Sequence, residues 1–186
     1  NDGSGKFTDA TDRLVGNRYG FGMAHTFADY DADGKMDLLM IGMNSWAAER
    51  LLSMKLSAPT HRHYGERLGD LTFGNRLYFG DGNKFEQRPM GDRVANTGWS
   101  WGATSFDADN DGDTDLFVAN DKTPNLIFRN NGNGTFTETG LQAGVAYNAL
   151  GEEEAGMGIG AGDYDGDGDI DLYVTHFFRE SNTLYR

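Results

Sequence analysis

Cysteine is absent from this sequence, and proline occurs only 3 times. Without cysteine there is no disulfide framework, no zinc-ribbon ligand set and no thiol nucleophile, and sulfur says nothing about the redox compartment. No apolar run approaches the roughly 18 residues of a membrane-spanning helix, so we expect no membrane span. Basic residues are also few, 16 against 29 acidic ones, and the net charge of −13 disfavours a nucleic-acid partner.

The acidic residues are concentrated in three short segments that align with one another without gaps. These segments are Asp29–Leu38, Asp107–Leu116 and Asp163–Leu172, and each has aspartate at its first, third, fifth and ninth positions and glycine at its sixth. Glycine is plentiful, with 27 residues, which is typical of a chain with many tight turns. The sequence is therefore built from internal repeats.

The flanks of the three acidic segments repeat as well, and they predict β-strands. Each segment follows a short run of small residues and precedes a β-favouring run, as in Leu116–Ala119. A second strand signal follows, as in Asn125–Arg129, and then a Gly/Asn turn with a short strand, as in Asn130–Phe136. The pattern predicts an all-β fold of three four-stranded units, which is typical of β-propeller blades with loop insertions.

We place the units at residues 20–90, 91–140 and 141–186, within one repeat domain spanning 1–186. The first unit carries an insertion at residues 43–74, where Trp46–Leu56 has the apolar spacing of a short helix. Residues 1–19 are interpreted as a spare outer strand and a linker, and the third unit as lacking its fourth strand.

The spacing of oxygen-bearing residues in each acidic segment predicts a calcium site. Calcium takes six to eight oxygen ligands on a tight turn, and the glycine at position 6 permits the bend. The predicted carboxylate ligands are Asp29, Asp31, Asp33, Asp37, Asp107, Asp109, Asp111, Asp115, Asp163, Asp165, Asp167 and Asp171. The predicted backbone carbonyl ligands are Lys35, Asp113 and Asp169.

An EF-hand is excluded because it needs a glutamate at position 12 and a helix after it. Position 12 is Met40, Val118 or Val174 here, and a strand signal follows. We therefore expect three Ca²⁺ sites of a β-loop-β type, closed by the aspartate at position 9.

The segments Gly162–Val174 and Asn182–Arg186 resemble FG-GAP (VCBS-type) repeats, the calcium-loop blades of integrin α-subunit propellers and of many bacterial surface proteins. The run Asn130–Phe136 and the stretch Gly98–Gly102 are most similar to secreted cartilage-acidic-protein and UnbV-type relatives. The resemblance implies a propeller, calcium at the positions given, and an extracellular, cell-surface or periplasmic location. It does not identify a ligand.

The sequence begins and ends at the same position within the repeat, between its third and fourth predicted strands. Asn1–Thr8 has the character of the turn and outer strand that would follow a segment such as Asn182–Arg186. Two explanations are open: the chain is part of a longer propeller, or separate copies complete each other by strand exchange.

For function, we expect a non-catalytic calcium-binding module that engages a protein or glycan ligand in adhesion or scaffolding. No nucleophile elbow, phosphate loop or dinucleotide fingerprint is present. One alternative is a propeller enzyme, such as a polysaccharide lyase or a cofactor-dependent dehydrogenase, with catalytic residues partly outside this chain. Another is a structural subunit that self-associates through unpaired blade edges into a ring or fibre.

Overall fold

The computed structural model describes residues 3–16, 20, 22–42, 44, 53–54 and 73–186, and these form three β-sheets. The first sheet has the strand order β1-β5-β4-β3-β2. Its strands are β1 (Leu14–Val15), β2 (Gly22–Ala28), β3 (Asp37–Gly42), β4 (Arg76–Gly80) and β5 (Phe85–Arg88). Strands β2 to β5 are antiparallel neighbours, whereas β1 pairs in parallel with β5.

The second and third sheets repeat this meander. The second sheet consists of β6 (Ser100–Phe106), β7 (Asp115–Asn120), β8 (Leu126–Asn130) and β9 (Phe136–Glu138). The third sheet consists of β10 (Gly156–Gly162), β11 (Asp171–His176) and β12 (Thr183–Tyr185). A 3₁₀ turn (Thr11–Arg13) precedes β1, and a one-turn helix, α1 (Asp92–Ala95), links the first two sheets.

Side chains alternate between the two faces of the second sheet, and each face is covered by a neighbouring sheet. Leu116, Val118 and Phe128 pack with Leu39, Ile41 and Leu77 of the first sheet. Phe117, Ala119 and Ile127 point the other way and pack with Leu172 and Val174 of the third sheet. The three sheets are therefore stacked face to face, and their first strands β2, β6 and β10 are neighbours in that order.

The strands predicted on either side of the acidic segments are present, and the fold is mostly β. The fifth strand of the first sheet was not predicted, because a two-residue parallel pair leaves no periodic signal. The predicted helix Trp46–Leu56 lies mostly outside the described residues, as does most of the insertion at 43–74.

The outer strand expected within residues 1–19 stays a prediction. In this structure residues 6–10 have no regular secondary structure, and residues 14–15 contribute β1. Among the described residues, no helix is long and apolar enough to span a bilayer.

Candidate metal sites

Each acidic segment forms a loop that joins the first strand of a sheet to the second. In the first loop, the two carboxylate oxygens of Asp29 accept hydrogen bonds from the amides of Asp33 (3.1 Å) and Gly34 (2.8 Å). Asp107 accepts the equivalent pair from Asp111 (3.1 Å) and Gly112 (2.9 Å) in the second loop. The aspartate at position 1 therefore stabilises the tight turn of the loop, and its carboxylate is also part of the acidic cluster.

The curl needs a left-handed backbone at two positions of each loop. Position 6 is the predicted glycine, with φ of 83° at Gly34 and 93° at Gly112. Position 4 is left-handed too, and there the residue is Ala32 (φ 55°), Asn110 (φ 59°) or Gly166 (φ 80°). A left-handed alanine is strained by roughly 1–2 kcal/mol, so the first loop keeps this shape against the preference of its own backbone.

Three aspartates in each loop bring carboxylate oxygens within 4.8 Å of one another. The triplets are Asp29, Asp31 and Asp33 in the first loop, Asp107, Asp109 and Asp115 in the second, and Asp163, Asp165 and Asp171 in the third. Each triplet is an all-oxygen, triply anionic donor set on a tight turn, which suits a hard cation such as Ca²⁺ and not a soft one. The residues present therefore fit the metal that the sequence predicted.

The fifth-position aspartates of the second and third loops lie outside these triplets. One carboxylate oxygen of Asp111 accepts the amide of Asp113 at 3.0 Å, and Asp167 accepts that of Asp169 at 3.0 Å. In the first loop, Asp33 is within the triplet and also pairs with the Lys35 ammonium at 2.8 Å. The ligand roles of all twelve aspartates, and of the backbone carbonyls of Lys35, Asp113 and Asp169, stay predictions; Asp37, Asp111 and Asp167 also lie outside the triplets.

The aspartate at position 9 has a structural role that the sequence did not reveal. The carboxylate of Asp115 is fully buried and accepts the amides of Ala108 (2.8 Å) and Asn130 (2.7 Å). Asp37 likewise accepts the amides of Tyr30 (3.0 Å) and Gly80 (2.9 Å). These two carboxylates thus tie the start of the loop to the end of the third strand of the meander.

Burial raises the pKa of Asp37 and Asp115 above the ordinary aspartate value, although the backbone amides that they accept oppose the shift. Nearby loop aspartates add to the increase by repulsion. A cation in the loop would act in the opposite direction, because it favours the ionised form.

An arginine approaches the third position of every loop. The guanidinium of Arg88 lies 3.7 Å from Asp31, that of Arg129 lies 3.5 Å from Asp109, and that of Arg186 lies 3.2 Å from Asp165. All three arginines are largely exposed, so each pair contributes little to stability. They do leave a cationic group beside each triplet.

A second set of polar residues, at the opposite end of the meander, was also missed by sequence reasoning. Asn75 is buried, accepts the Gly42 amide at 3.0 Å, and donates to the carbonyl of Val94 and the hydroxyl of Thr97, both at 2.7 Å. Asn125 accepts the Asn120 amide at 3.1 Å in the second sheet. The only signal was an asparagine before the third strand of each unit, which also occurs in ordinary turns.

Comparison with known families bears on these loops. A family model described as FG-GAP-like repeat matches residues 107–174, which run from the first aspartate of the second loop into β11. The match includes the second and third triplets and supports the FG-GAP resemblance seen in the sequence. No curated protein matches the chain.

Proposed function

We propose that this chain is a calcium-stabilised set of β-propeller blades that binds a protein or glycan outside the cytoplasm and has no catalytic role. The observation that carries the proposal is the convergence of three carboxylates in each of three equivalent loops. The FG-GAP-like match adds to it, because repeats of this kind suggest an adhesion or binding module.

The propeller arrangement is supported by the way the sheets stack. In a propeller, meandering sheets are arranged radially with their first strands innermost. Here β2, β6 and β10 are neighbours, and the same alternation of side chains packs the first sheet on the second and the second on the third. Sheets joined in this way form an arc of three blades.

Calcium would stabilise the loops by removing a repulsion that folding creates. Carboxylates a few ångströms apart repel by about 1 kcal/mol per pair even in water, and by more near a protein surface. The cation supplies charge neutralisation and a shared point of attachment for the triplet. The chain's own contribution is the curl held by the first aspartate and by the left-handed positions 4 and 6.

An extracytoplasmic location is supported by the exposure of the loops. At least two aspartates of each triplet are exposed or half-buried, so the loops are open to the surrounding medium. Calcium sites of extracellular modules bind at about 10⁻⁴–10⁻³ M, and sites of that affinity fill outside the cytoplasm but not in a cytosol kept at low calcium. Loops that bind in this range would suit an extracellular or periplasmic module.

Partner binding is supported by an exposed aromatic turn at the end of the third sheet remote from the acidic loops. Phe177 and Phe178, between β11 and β12, are 66% and 72% exposed, and the Arg179 guanidinium lies 4.8 Å from the centre of the Phe178 ring. Adjacent exposed aromatic and arginine side chains are enriched where proteins contact partners.

The test is calorimetric titration of metal-free chain with Ca²⁺, followed by thermal melts with and without chelator. We expect up to three sites with affinities in the range of extracellular modules, and a melting temperature that rises with calcium. Glu152→Gln and Glu153→Gln, which remove exposed acids outside the loops, serve as controls and should leave the calcium response unchanged. An unchanged melting temperature would contradict the metal proposal, and submicromolar affinity would remove the support for an extracytoplasmic location.

A further inference from the structure

One buried side-chain amide joins the first acidic loop to the second. Asn130, the last residue of β8, is 1% exposed. Its Nδ2 group donates one hydrogen bond to the Tyr30 carbonyl of the first loop at 2.8 Å and another to the Thr114 carbonyl of the second loop at 3.2 Å. The hydrogens of a single NH₂ group are thus shared between two acidic loops.

The rest of Asn130 is bound to the second loop and to the turn that follows β8. Its backbone amide donates to the Asp115 carboxylate at 2.7 Å, and Asp115 is a member of the second triplet. Its side-chain oxygen accepts the Gly132 amide at 3.2 Å, which fixes the direction in which the Nδ2 group points. Asn130 therefore bridges the first loop to a carboxylate of the second candidate metal site.

Tyr30 connects the other end of this bridge to the first site. It lies between Asp29 and Asp31, which both belong to the first triplet, so a movement of these two aspartates also moves the Tyr30 carbonyl. The Tyr30 side chain is buried, and its hydroxyl meets the Ser105 hydroxyl of β6 at 2.6 Å. The first triplet is therefore attached to the second sheet through Tyr30.

Burial makes this bridge costly to break. Tyr30, Asp115 and Asn130 are all buried, so water is not at hand to replace a lost hydrogen bond. If one loop moved without the other, a buried donor or acceptor would be left without a partner, which costs more than a typical hydrogen bond contributes. We therefore expect the first two loops to become ordered together.

The second and third loops are joined by a weaker contact. The Asn110 side chain donates to the Asp169 carboxylate at 2.8 Å. Both residues are exposed, so water competes for the same groups and little is lost when they separate. This exposed link provides a comparison for the buried one within the same chain.

We propose that Asn130 couples the first two candidate calcium sites, so that filling either loop raises the affinity of the other. The inference rests on the proposed function, because it concerns the same sites. When Asp29 and Asp31 are held by a bound cation, the Tyr30 carbonyl is fixed. Asn130 then stays in the position from which it binds Asp115. Part of the ordering cost of the second loop has then already been met, which gives positive cooperativity that is equal in both directions.

Ca²⁺ titrations that resolve the individual sites test the coupling. In NMR spectra of nitrogen-labelled chain, the amide signals of Gly34 and Gly112 report the two sites separately, because each amide binds the first aspartate of its own loop. Asp109→Asn disables the second site, and the Kd of the first site should then rise about fivefold, the lower end of typical couplings. In an Asn130→Gly background the same change should raise that Kd by less than about twofold.

Glycine is the replacement that the repeat itself offers at position 130. Gly80 holds the equivalent place in the first sheet, where its amide binds Asp37 as the amide of Asn130 binds Asp115. Asn130→Gly therefore keeps the backbone hydrogen bond and removes only the bridge. Comparing the effect of Asp109→Asn in the two backgrounds cancels the change of charge and any repulsion between bound cations, since both are present in each background.

Two controls accompany this comparison. Asn133→Gly makes the same chemical change at an exposed residue that binds Thr135 of its own turn, and it should leave the coupling intact. The other control keeps Asn130 and follows the second site. Asp31→Asn, which disables the first site, should raise the Kd of the second about fivefold, whereas Asp165→Asn, which disables the third across the exposed link, should raise it by less than about twofold.

The outcomes separate the coupling from the metal binding on which it rests. Equal changes in the Kd of the first site with and without the Asn130 side chain would overturn the coupling and leave the metal proposal standing. An effect of Asp165→Asn on the second site as large as that of Asp31→Asn would do the same. A titration in which neither glycine signal moves would contradict the proposed function itself, and the coupling with it.

Discussion

At the scale of the residue, each acidic loop divides its carboxylates between two tasks. Asp109 is exposed, lies in the second triplet and contacts Arg129 at the surface. Asp115 is in the same triplet but is fully buried, with two backbone amides directed at its two oxygens. Asp109 is therefore available for metal binding alone, whereas Asp115 also attaches the loop to the sheet.

This division predicts different effects of two isosteric substitutions. Asp109→Asn should change stability in chelator by less than about 0.5 kcal/mol, as is usual at an exposed site, but should remove calcium binding at the second loop. Asp115→Asn offers one acceptor oxygen to two amide donors, so it should destabilise the chain by about 1–3 kcal/mol in chelator as well.

Denaturant unfolding of both variants, with and without calcium, measures the difference. Equal stability of Asp109→Asn and Asp115→Asn in chelator would show that the buried carboxylate has no structural role beyond the metal.

Sequence reasoning found the loop aspartates because their spacing is regular and their chemistry is specific to hard cations. It did not find the left-handed position 4, since Ala32 carries no signal for positive φ. Nor did it find the second role of position 9, because a spacing of charges does not reveal which carboxylate the fold buries. Both depend on the path of the backbone after folding.

At the scale of the element, asparagines join neighbouring strands where the backbone ladder stops. The side chain of Asn75 connects the end of β3 to α1 and to the segment before β6, and its three hydrogen bonds are buried. Asn182 holds the equivalent place in the third sheet, where it is exposed and binds the His176 amide and the Tyr173 hydroxyl, both at 3.0 Å.

Removing these side chains should have unequal effects. Asn75→Ala leaves buried backbone groups without partners and should lower the free energy of unfolding by about 3 kcal/mol, whereas Asn182→Ala, with water at hand, should lower it by about 1 kcal/mol or less. Urea unfolding of the two variants provides the comparison. Similar losses would mean that the burial of the Asn75 network adds nothing to its strength.

Strand positions were predictable because the same strand signals recur around the same acidic loop in all three units. The parallel pairing of β1 and the single turn of α1 were not, because elements of two and four residues are too short for periodicity and are held by tertiary contacts. The repeat alone predicted three similar sheets, and side chains that alternate between the two faces of β7 and β8 pack the second sheet against both of its neighbours.

At the scale of the whole molecule, the raised pKa of Asp37 and Asp115 is one part of the response to pH. Hydrogen bonds lower the pKa of Asp33, Asp81 and Glu180, which act in the opposite direction. A pKa that is higher in the folded than in the unfolded state favours folding when the group is protonated. That contribution is present below the ordinary aspartate pKa of 3.8 and is lost as the pH rises through the higher folded value.

The stability that Asp37 and Asp115 contribute to the metal-free chain should therefore fall as the pH rises from about 4 towards neutrality, starting from the ordinary aspartate pKa. Calcium should add stability as the pH rises, because the cation binds the ionised loops and stabilises the folded state by mass action. Thermal melts of the unchanged chain and of Asp37→Asn across this range, in metal-free buffer and in calcium, separate the two effects. A metal-free melting temperature with the same dependence on pH in both chains would contradict the role assigned to Asp37.

Every residue of β7, from Asp115 to Asn120, is buried, because the second sheet is covered on both faces. Solvent deuterium reaches the amides of this strand only after a neighbouring sheet has moved away. The exchange rate of these amides therefore reports how often adjacent sheets separate, and calcium that holds the sheets together would slow the exchange without contacting β7.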